Sequence, residues 1–249
     1  MLLLLSPAKT LDFNPNEFST HTQANFLEES QRLIDLLRPM KTEDIQQLMK
    51  VSEKIAQLNV DRYKTFQLPF DRRNAKQAIL AFKGDVYKGL AANEFDAADL
   101  AFAQQHIGVL SGLYGFLKPL DLMQPYRLEM GTKLANDKGK NLYEFWGTKI
   151  ATYINGLAPT SVVNLASNEY FKAVDTKVLD SPLWKVDFKE NKNGKYKIVA
   201  FYAKHARGMM AHYAVKNRLE NPEQLKGFDM EDYQYNEELS EGQHLVFTR

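Results

Sequence analysis

The 249-residue chain has no cysteine. Without it there are no disulfides, thiolate nucleophiles, zinc–thiolate sites or cysteine-ligated iron–sulfur clusters. The absence suits a reducing compartment, and a cytoplasmic protein is expected. Long apolar runs are missing too. Leu2 to Leu5 stops at Ser6-Pro7, far short of the roughly 20 residues of a membrane span, and it lacks the basic leader and longer apolar core of a signal peptide. It reads as a buried first strand, and no membrane association is expected. Neither sign of charge is in excess. The 32 Lys and Arg face 31 Asp and Glu, a net of +1, which argues against a histone-like or acidic-tail protein. No Gly-x-x-x-x-Gly-Lys-Ser/Thr, no Gly-x-Ser-x-Gly and no Gly-x-Gly-x-x-Gly after a strand is found, so P-loop hydrolysis and serine-hydrolase chemistry lack support. Of five histidines only His205 and His212 could share a helix face. At seven residues apart they are too distant for one ion, so neither a metal site nor a cofactor is expected.

What is present is the balance of a folded protein, with 44% hydrophobic and 25% charged residues. No Pro-, Gly- or Ser-rich linker and no fixed repeat divides the chain, so residues 1–249 are expected to form a single domain and, by the simplest reading, a monomer. Helical spacing of apolar residues runs from Leu27 to Pro39, from Ser52 to Phe66, from Asn93 to Gln105 and from Leu142 to Leu157, where Ala158-Pro159 closes it. Val162 to Leu165 reads as a strand, and Ser167 as the N-cap of a helix through Val174. Trp184, Val186 and Phe188 alternate with polar residues, and Asn193-Gly194 predicts a type I′ hairpin to a second strand over Lys195 to Tyr202. A helix is expected from Ala206 to Leu219. The mixture predicts an α+β fold: a mixed sheet, β-hairpins, surrounding helices and one helix-hairpin-helix-like element.

That last element is the segment Leu110-Ser111-Gly112-Leu113-Tyr114-Gly115-Phe116-Leu117-Lys118-Pro119. Its Gly-x-x-Gly form resembles the hairpin of helix-hairpin-helix DNA-binding modules, in which Gly112, Leu113, Tyr114 and Gly115 would offer backbone amides to a phosphate and Lys118 would add charge. A plain structural turn is the competing reading. Charge is also unevenly spread. Leu183 to Lys216 holds eight basic and two acidic residues, a net of +6, whereas Glu220 to Glu241 holds eight acidic residues and Lys226, a net of −7. A one-sided basic surface could attract a polyanion. A lysine-bearing edge strand that merely resists aggregation would look the same.

Several polar residues follow or end apolar strands, where sites on rigid scaffolds tend to sit. They are Lys9 after the first strand, the Arg127 and Glu129 pair beside a turn, Asn168, Glu169 and Tyr170 after the Val162 strand, and Lys204, His205 and Arg207 after the hairpin. Convergence of these would make a cleft for phosphate or carboxylate, and a Lys beside a Glu could carry acid–base chemistry. Separate surface and capping residues are the alternative.

Six segments taken together resemble the YaaA family of peroxide-stress proteins: Leu5-Ser6-Pro7-Ala8-Lys9-Thr10-Leu11, Phe82-Lys83-Gly84-Asp85-Val86-Tyr87, Leu110 to Gly115, Arg127-Leu128-Glu129-Met130-Gly131, Asn164 to Tyr170 and Lys204 to Met210. They occur in order over nearly the full length. The resemblance implies a bacterial cytosolic protein that limits iron-driven (Fenton) damage under peroxide and binds double-stranded DNA through a basic cleft and a helix-hairpin-helix element. Carried onto this chain, the DNA- or phosphate-binding residues would be Lys9, Gly112, Leu113, Tyr114, Gly115, Lys118, Arg127, Lys204 and Arg207. The other reading is an enzyme acting on a small phosphorylated or carboxylated substrate through Lys9, Glu169, Tyr170, Lys204 and Arg207.

Overall fold

A strand of four consecutive leucines must be covered on both faces, and β1 (Leu2–Leu5) is fully buried in that way. The computed structural model describes residues 1–15 and 18–249. After β1 come β2 (Thr10–Leu11), β3 (Thr22–Gln23) and the helices α1 (Leu27–Leu37), α2 (Thr42–Met49) and α3 (Glu53–Thr65). Short pieces follow: β4 (Lys76–Gln77), α4 (Ala78–Ala81), β5 (Phe82–Lys83) and α5 (Asp85–Leu90). Helix α6 (Ala97–His106) leads into β6 (Ile107–Ser111), β7 (Gly115–Leu117) and β8 (Asp121–Met123). Next are α7 (Leu142–Trp146), α8 (Lys149–Gly156), β9 (Val162–Asn164) and α9 (Asn168–Phe171). The chain ends with β10 (Leu183–Lys192), β11 (Lys195–Lys197), α10 (Ala200–Lys216), β12 (Gln234–Tyr235) and β13 (His244–Thr248).

The main sheet has the order β12-β13-β10-β9-β1-β6-β7, with β11 added to β10. Its interior is parallel: Leu3 of β1 lies between Val163 of β9 and Ile107 of β6. Antiparallel pairs close both edges. The expected mixed α+β sheet with hairpins is therefore present. Strands β6 and β9 flank β1 on opposite sides, so the connections leaving β1 and β9 diverge, and such a switch point opens a crevice at the C-terminal ends of parallel strands.

Several local expectations are corrected. Residues 110–119 form no helix-hairpin-helix. Val109, Leu110 and Ser111 pair with Leu117, Phe116 and Gly115 in a β-hairpin, closed by the Tyr114 N–H donating to Ser111 Oγ at 3.0 Å with Gly115 at φ 65°. The apolar residues on both sides of the turn favour strands, and they are buried. The Leu142–Leu157 helix is divided into α7 and α8 at Gly147, whose φ is 49°. The strand after Asn193-Gly194 ends at Lys197 and α10 starts at Ala200, because Ala203, Ala206, Met210 and Ala214 already supply a buried helical face. The turn itself has the positive φ expected at both residues, 54° and 76°. Ser167 stands at the N-cap of α9 but makes no side-chain cap; its N–H donates to Ser6 Oγ at 2.8 Å instead. The α9 helix is only four residues long. Helix α2 has no counterpart among the expected elements, since Ile45 alone of its residues is buried.

Helix α10 packs directly on α5. A Cβ on Gly208 would lie 1.8 Å from the Val86 carbonyl oxygen, and one on Gly89 would lie 2.2 Å from the His205 carbonyl oxygen. Backbone thus meets backbone, which only glycine permits at these positions. Replacing Gly208 by Ala is expected to destabilise the chain by at least the ~1–3 kcal/mol typical of overpacking in urea unfolding. Gly156→Ala, with nothing within 4 Å of the added carbon, is expected to be neutral or stabilising. Equal effects of the two substitutions would contradict the close crossing.

Candidate functional site

A cleft of about 540 Å³ opens at the C-terminal ends of β1 and β9. Its walls are the Ser6–Thr10 connection after β1, the Lys83–Tyr87 segment entering α5, Glu129, the Ser167–Tyr170 turn into α9, and Lys204 and Arg207 of α10. Seven of the residues singled out in the sequence line it together: Lys9, Glu129, Asn168, Glu169, Tyr170, Lys204 and Arg207. Arg127 stands behind them as a support. Its Nη2 donates to Glu129 Oε1 at 3.0 Å, while Lys9 Nζ lies 2.8 Å from Glu129 Oε2. One carboxylate is thereby shared between two cations.

Glu169 is oriented by the main chain. Its Oε1 accepts the Gly131 N–H at 3.0 Å, and its carbonyl accepts the Tyr143 hydroxyl at 2.9 Å. Burial, and then the neighbouring Tyr126, Glu169 and Glu129, push the Tyr170 phenol well above its ordinary value, against an opposing hydrogen bond from the Met130 backbone. It is therefore a neutral hydrogen-bond donor. Burial lowers the Arg207 guanidinium, with Asp187 opposing the shift, and its Nε has no hydrogen-bond partner. Among the described residues neither Lys204 nor Arg207 takes part in a salt bridge. The cleft therefore has one wall where charge is already paired and another where two cations are left for an incoming anion.

Ser6, Lys83, Asp85, Tyr87 and Ser167 also line the cleft, although the sequence marks them only through the family segments and, for Ser167, as an N-cap. Ser6 Oγ ties the β1 and β9 connections together through Ser167, and Tyr87 donates its hydroxyl proton to the Ser6 carbonyl at 3.1 Å. Between Lys83 and Asp85, Gly84 takes φ 157° and ψ −174°, a region nearly restricted to glycine.

Other residues are placed elsewhere. Gly112, Leu113, Tyr114 and Gly115 are buried, and the Gly112 carbonyl accepts Trp146 Nε1 at 3.1 Å. Their amides cannot reach a phosphate, and Lys118 lines a different cavity at the opposite end of β1 with Met1, His106 and Glu220. His205 turns away from the cleft toward Glu231 and a second hollow shared with Met209 and His212. Among the described residues no cluster of three or more His, Asp or Glu could hold a metal ion, and no helix is long and apolar enough to cross a membrane. The basic and acidic segments touch where Glu231 reaches His205 at 3.1 Å; Glu231 also reaches Arg249, outside both segments, at 3.1 Å.

A two-helix hairpin does exist, but at α2 and α3. Its turn carries Lys50 in the left-handed conformation at φ 52°, with Lys50 and Lys54 exposed at the turn and Lys41 exposed at the far end of α2.

Comparison with known proteins covers the whole chain. It is 52% identical to a UPF0246 protein of Saccharophagus degradans, aligned over 100% of this chain and 99% of that protein. It is also 52% identical to one of Cellvibrio japonicus, covering 98% of it, and 50% identical to one of Teredinibacter turnerae, covering 99% of it, each over 100% of this chain. The family described as "Peroxide stress protein YaaA" matches residues 1–239, and the chain belongs to that family.

Proposed function

We propose that the cleft at the ends of β1 and β9 binds a small molecule bearing a phosphate or carboxylate, and that this is the working site of the chain in the response to peroxide. The observation that carries the reading is the pair Lys204 and Arg207, which line the cleft and, among the described residues, are in no salt bridge, Asp187 acting on Arg207 only beyond ion-pair distance. The volume supports it, since about 540 Å³ falls within the roughly 300–1,000 Å³ of small-molecule sites. In this reading the ligand's anion lies against Lys204 and Arg207, and its other end faces Glu129, Glu169 and Tyr170. Tyr170 donates a hydrogen bond to a ligand oxygen, and the Lys9–Glu129 pair is the candidate for proton transfer.

Calorimetric titration with inorganic phosphate and with a panel of phosphorylated and carboxylated metabolites tests this. Lys204→Gln with Arg207→Gln is expected to weaken the best ligand at least tenfold, as lost hydrogen bonds to charged groups at roughly 1.5–3 kcal/mol each would require. Lys118→Gln is expected to change nothing. Ligand binding indifferent to Lys204 and Arg207 would remove the cleft from consideration.

A second reading is non-sequence-specific binding of double-stranded DNA in the cytoplasm, limiting iron-driven oxidation there. The specific observation in its favour is the α2–α3 hairpin with its exposed lysines, a geometry in which backbone amides and cations engage phosphates without reading bases. If about four phosphates are neutralised, the slope of log K against log salt is expected near −3.6, and Lys50→Glu with Lys54→Glu should abolish most of the affinity. Duplex binding that ignores salt, or ignores those two lysines, sinks this reading and leaves the cleft untouched.

A further inference from the structure

The large apolar side chains left in solvent are not scattered. Of eight exposed among the described residues, four fall within seven positions: Tyr196, Ile198, Phe201 and Tyr202. Ile198 is 51% and Phe201 60% exposed. Contiguous apolar exposure of this kind marks an interaction surface. It lies where the β10–β11 ribbon passes into α10, and the exposed Lys192, Lys195 and Lys197 stand around it. The ribbon projects past the sheet. The paired register of β10 with β13 runs to Lys189 and Thr248, and the Asn191 N–H donates to the Arg249 carbonyl at 2.8 Å.

A surface of opposite character occupies the other end of the same strand pair. The loop joining β12 to β13 exposes Glu237, Glu238 and Glu241 around Leu239, itself 37% exposed. The loop is internally braced. Asn236 Oδ1 accepts the Leu239 N–H at 3.0 Å, and Ser240 Oγ donates to the Asn236 carbonyl at 2.6 Å and accepts the Val246 N–H at 2.9 Å. Glu241 bridges to His244, which is in register with Lys185 at the start of β10, whereas the ribbon turn lies beyond Lys192 at its end. Tyr196 stands opposite Asn191, so at ~3.3 Å per residue the ribbon end of the patch is about 20 Å along β10 from the loop.

We propose that they meet between chains: the basic, aromatic ribbon of one copy docks on the acidic Leu239 loop of a second copy. Each surface has an apolar centre ringed by charge, and the charges are complementary, which is how stable contacts are organised and oriented. Because the two patches differ, the contact is head-to-tail, and it either closes a ring or extends with concentration. Its charged rim makes it sensitive to salt. None of the cleft-lining residues takes part, so the contact stands or falls independently of the ligand reading.

Sedimentation velocity on the full chain tests the proposal. The average mass is expected to rise with protein concentration at low salt and to return toward one copy at high salt. Lys195→Glu with Lys197→Glu, and separately Glu237→Lys with Glu238→Lys, should each give single copies with unchanged circular dichroism. Mixing the two variants should restore association, since the reversed ribbon then meets a reversed loop. Phe201→Ala should weaken association roughly tenfold or more, as the loss of a buried aromatic anchor does. A wild-type chain that stays a single copy at every concentration, or a mixture that fails to associate, overturns the proposal. Ribbon-dependent binding of single-stranded oligonucleotide or anionic vesicles without self-association overturns it as well.

Discussion

Helix α10 crosses α5 with main chain against main chain, and the distribution of charge in the cleft depends on that contact. Gly89 and Gly208 remove the Cβ atoms that would hold the helices a side chain apart. Lys204 and Arg207, one helical turn apart, are thereby brought over the connections that leave β1 and β9. Close packing also takes Arg207 largely out of water. A charge in that setting acts on its surroundings through a lower effective dielectric than a surface lysine does.

The opposite wall is organised by saturation of a carboxylate. Glu129 holds Lys9 on one oxygen and Arg127 on the other, and Tyr63 donates its hydroxyl proton to the Arg127 carbonyl. Burial, with repulsion from Arg127 adding to it, lowers the Arg62 guanidinium nearby. Positive charge is therefore concentrated behind the cleft, where Glu129 pairs with both Lys9 and Arg127. A net charge of +1 says little about a protein whose cations and carboxylates are sorted in this way. The same is true at larger scale, where the basic ribbon and the acidic Leu239 loop lie at opposite ends of one strand pair while Glu231 stitches the segments together between them.

Much of the site is legible in the amino-acid sequence, for a physical reason. Polar residues that directly follow apolar strands emerge at one edge of a parallel sheet, so Lys9, Asn168, Glu169 and Tyr170 share that edge once β1 and β9 are neighbours. Lys204 and Arg207 are identifiable as cations, but their approach rests on Gly89 and Gly208, whose role is visible only when the two helices are seen to cross. The Gly112–Gly115 turn shows the opposite limit. Two glycines three apart announce a tight turn but not the elements on either side. Leu113, Tyr114, Phe116 and Leu117 are the better guide, because a turn built of large apolar residues belongs to the core and not to a phosphate. His205 illustrates a smaller ambiguity: adjacent residues on a helix diverge by about 100°, so its neighbour Lys204 enters the cleft while the imidazole faces Glu231.

The central claim is that the crevice at the ends of β1 and β9 receives an anion. Hydrogen exchange with and without saturating phosphate or the best phosphorylated ligand tests it most directly. Slower exchange is expected at Ser6–Thr10, Lys83–Tyr87 and Ser167–Tyr170, with the α2–α3 turn unchanged. Protection confined to Lys50–Lys54, or no protection anywhere, would contradict it.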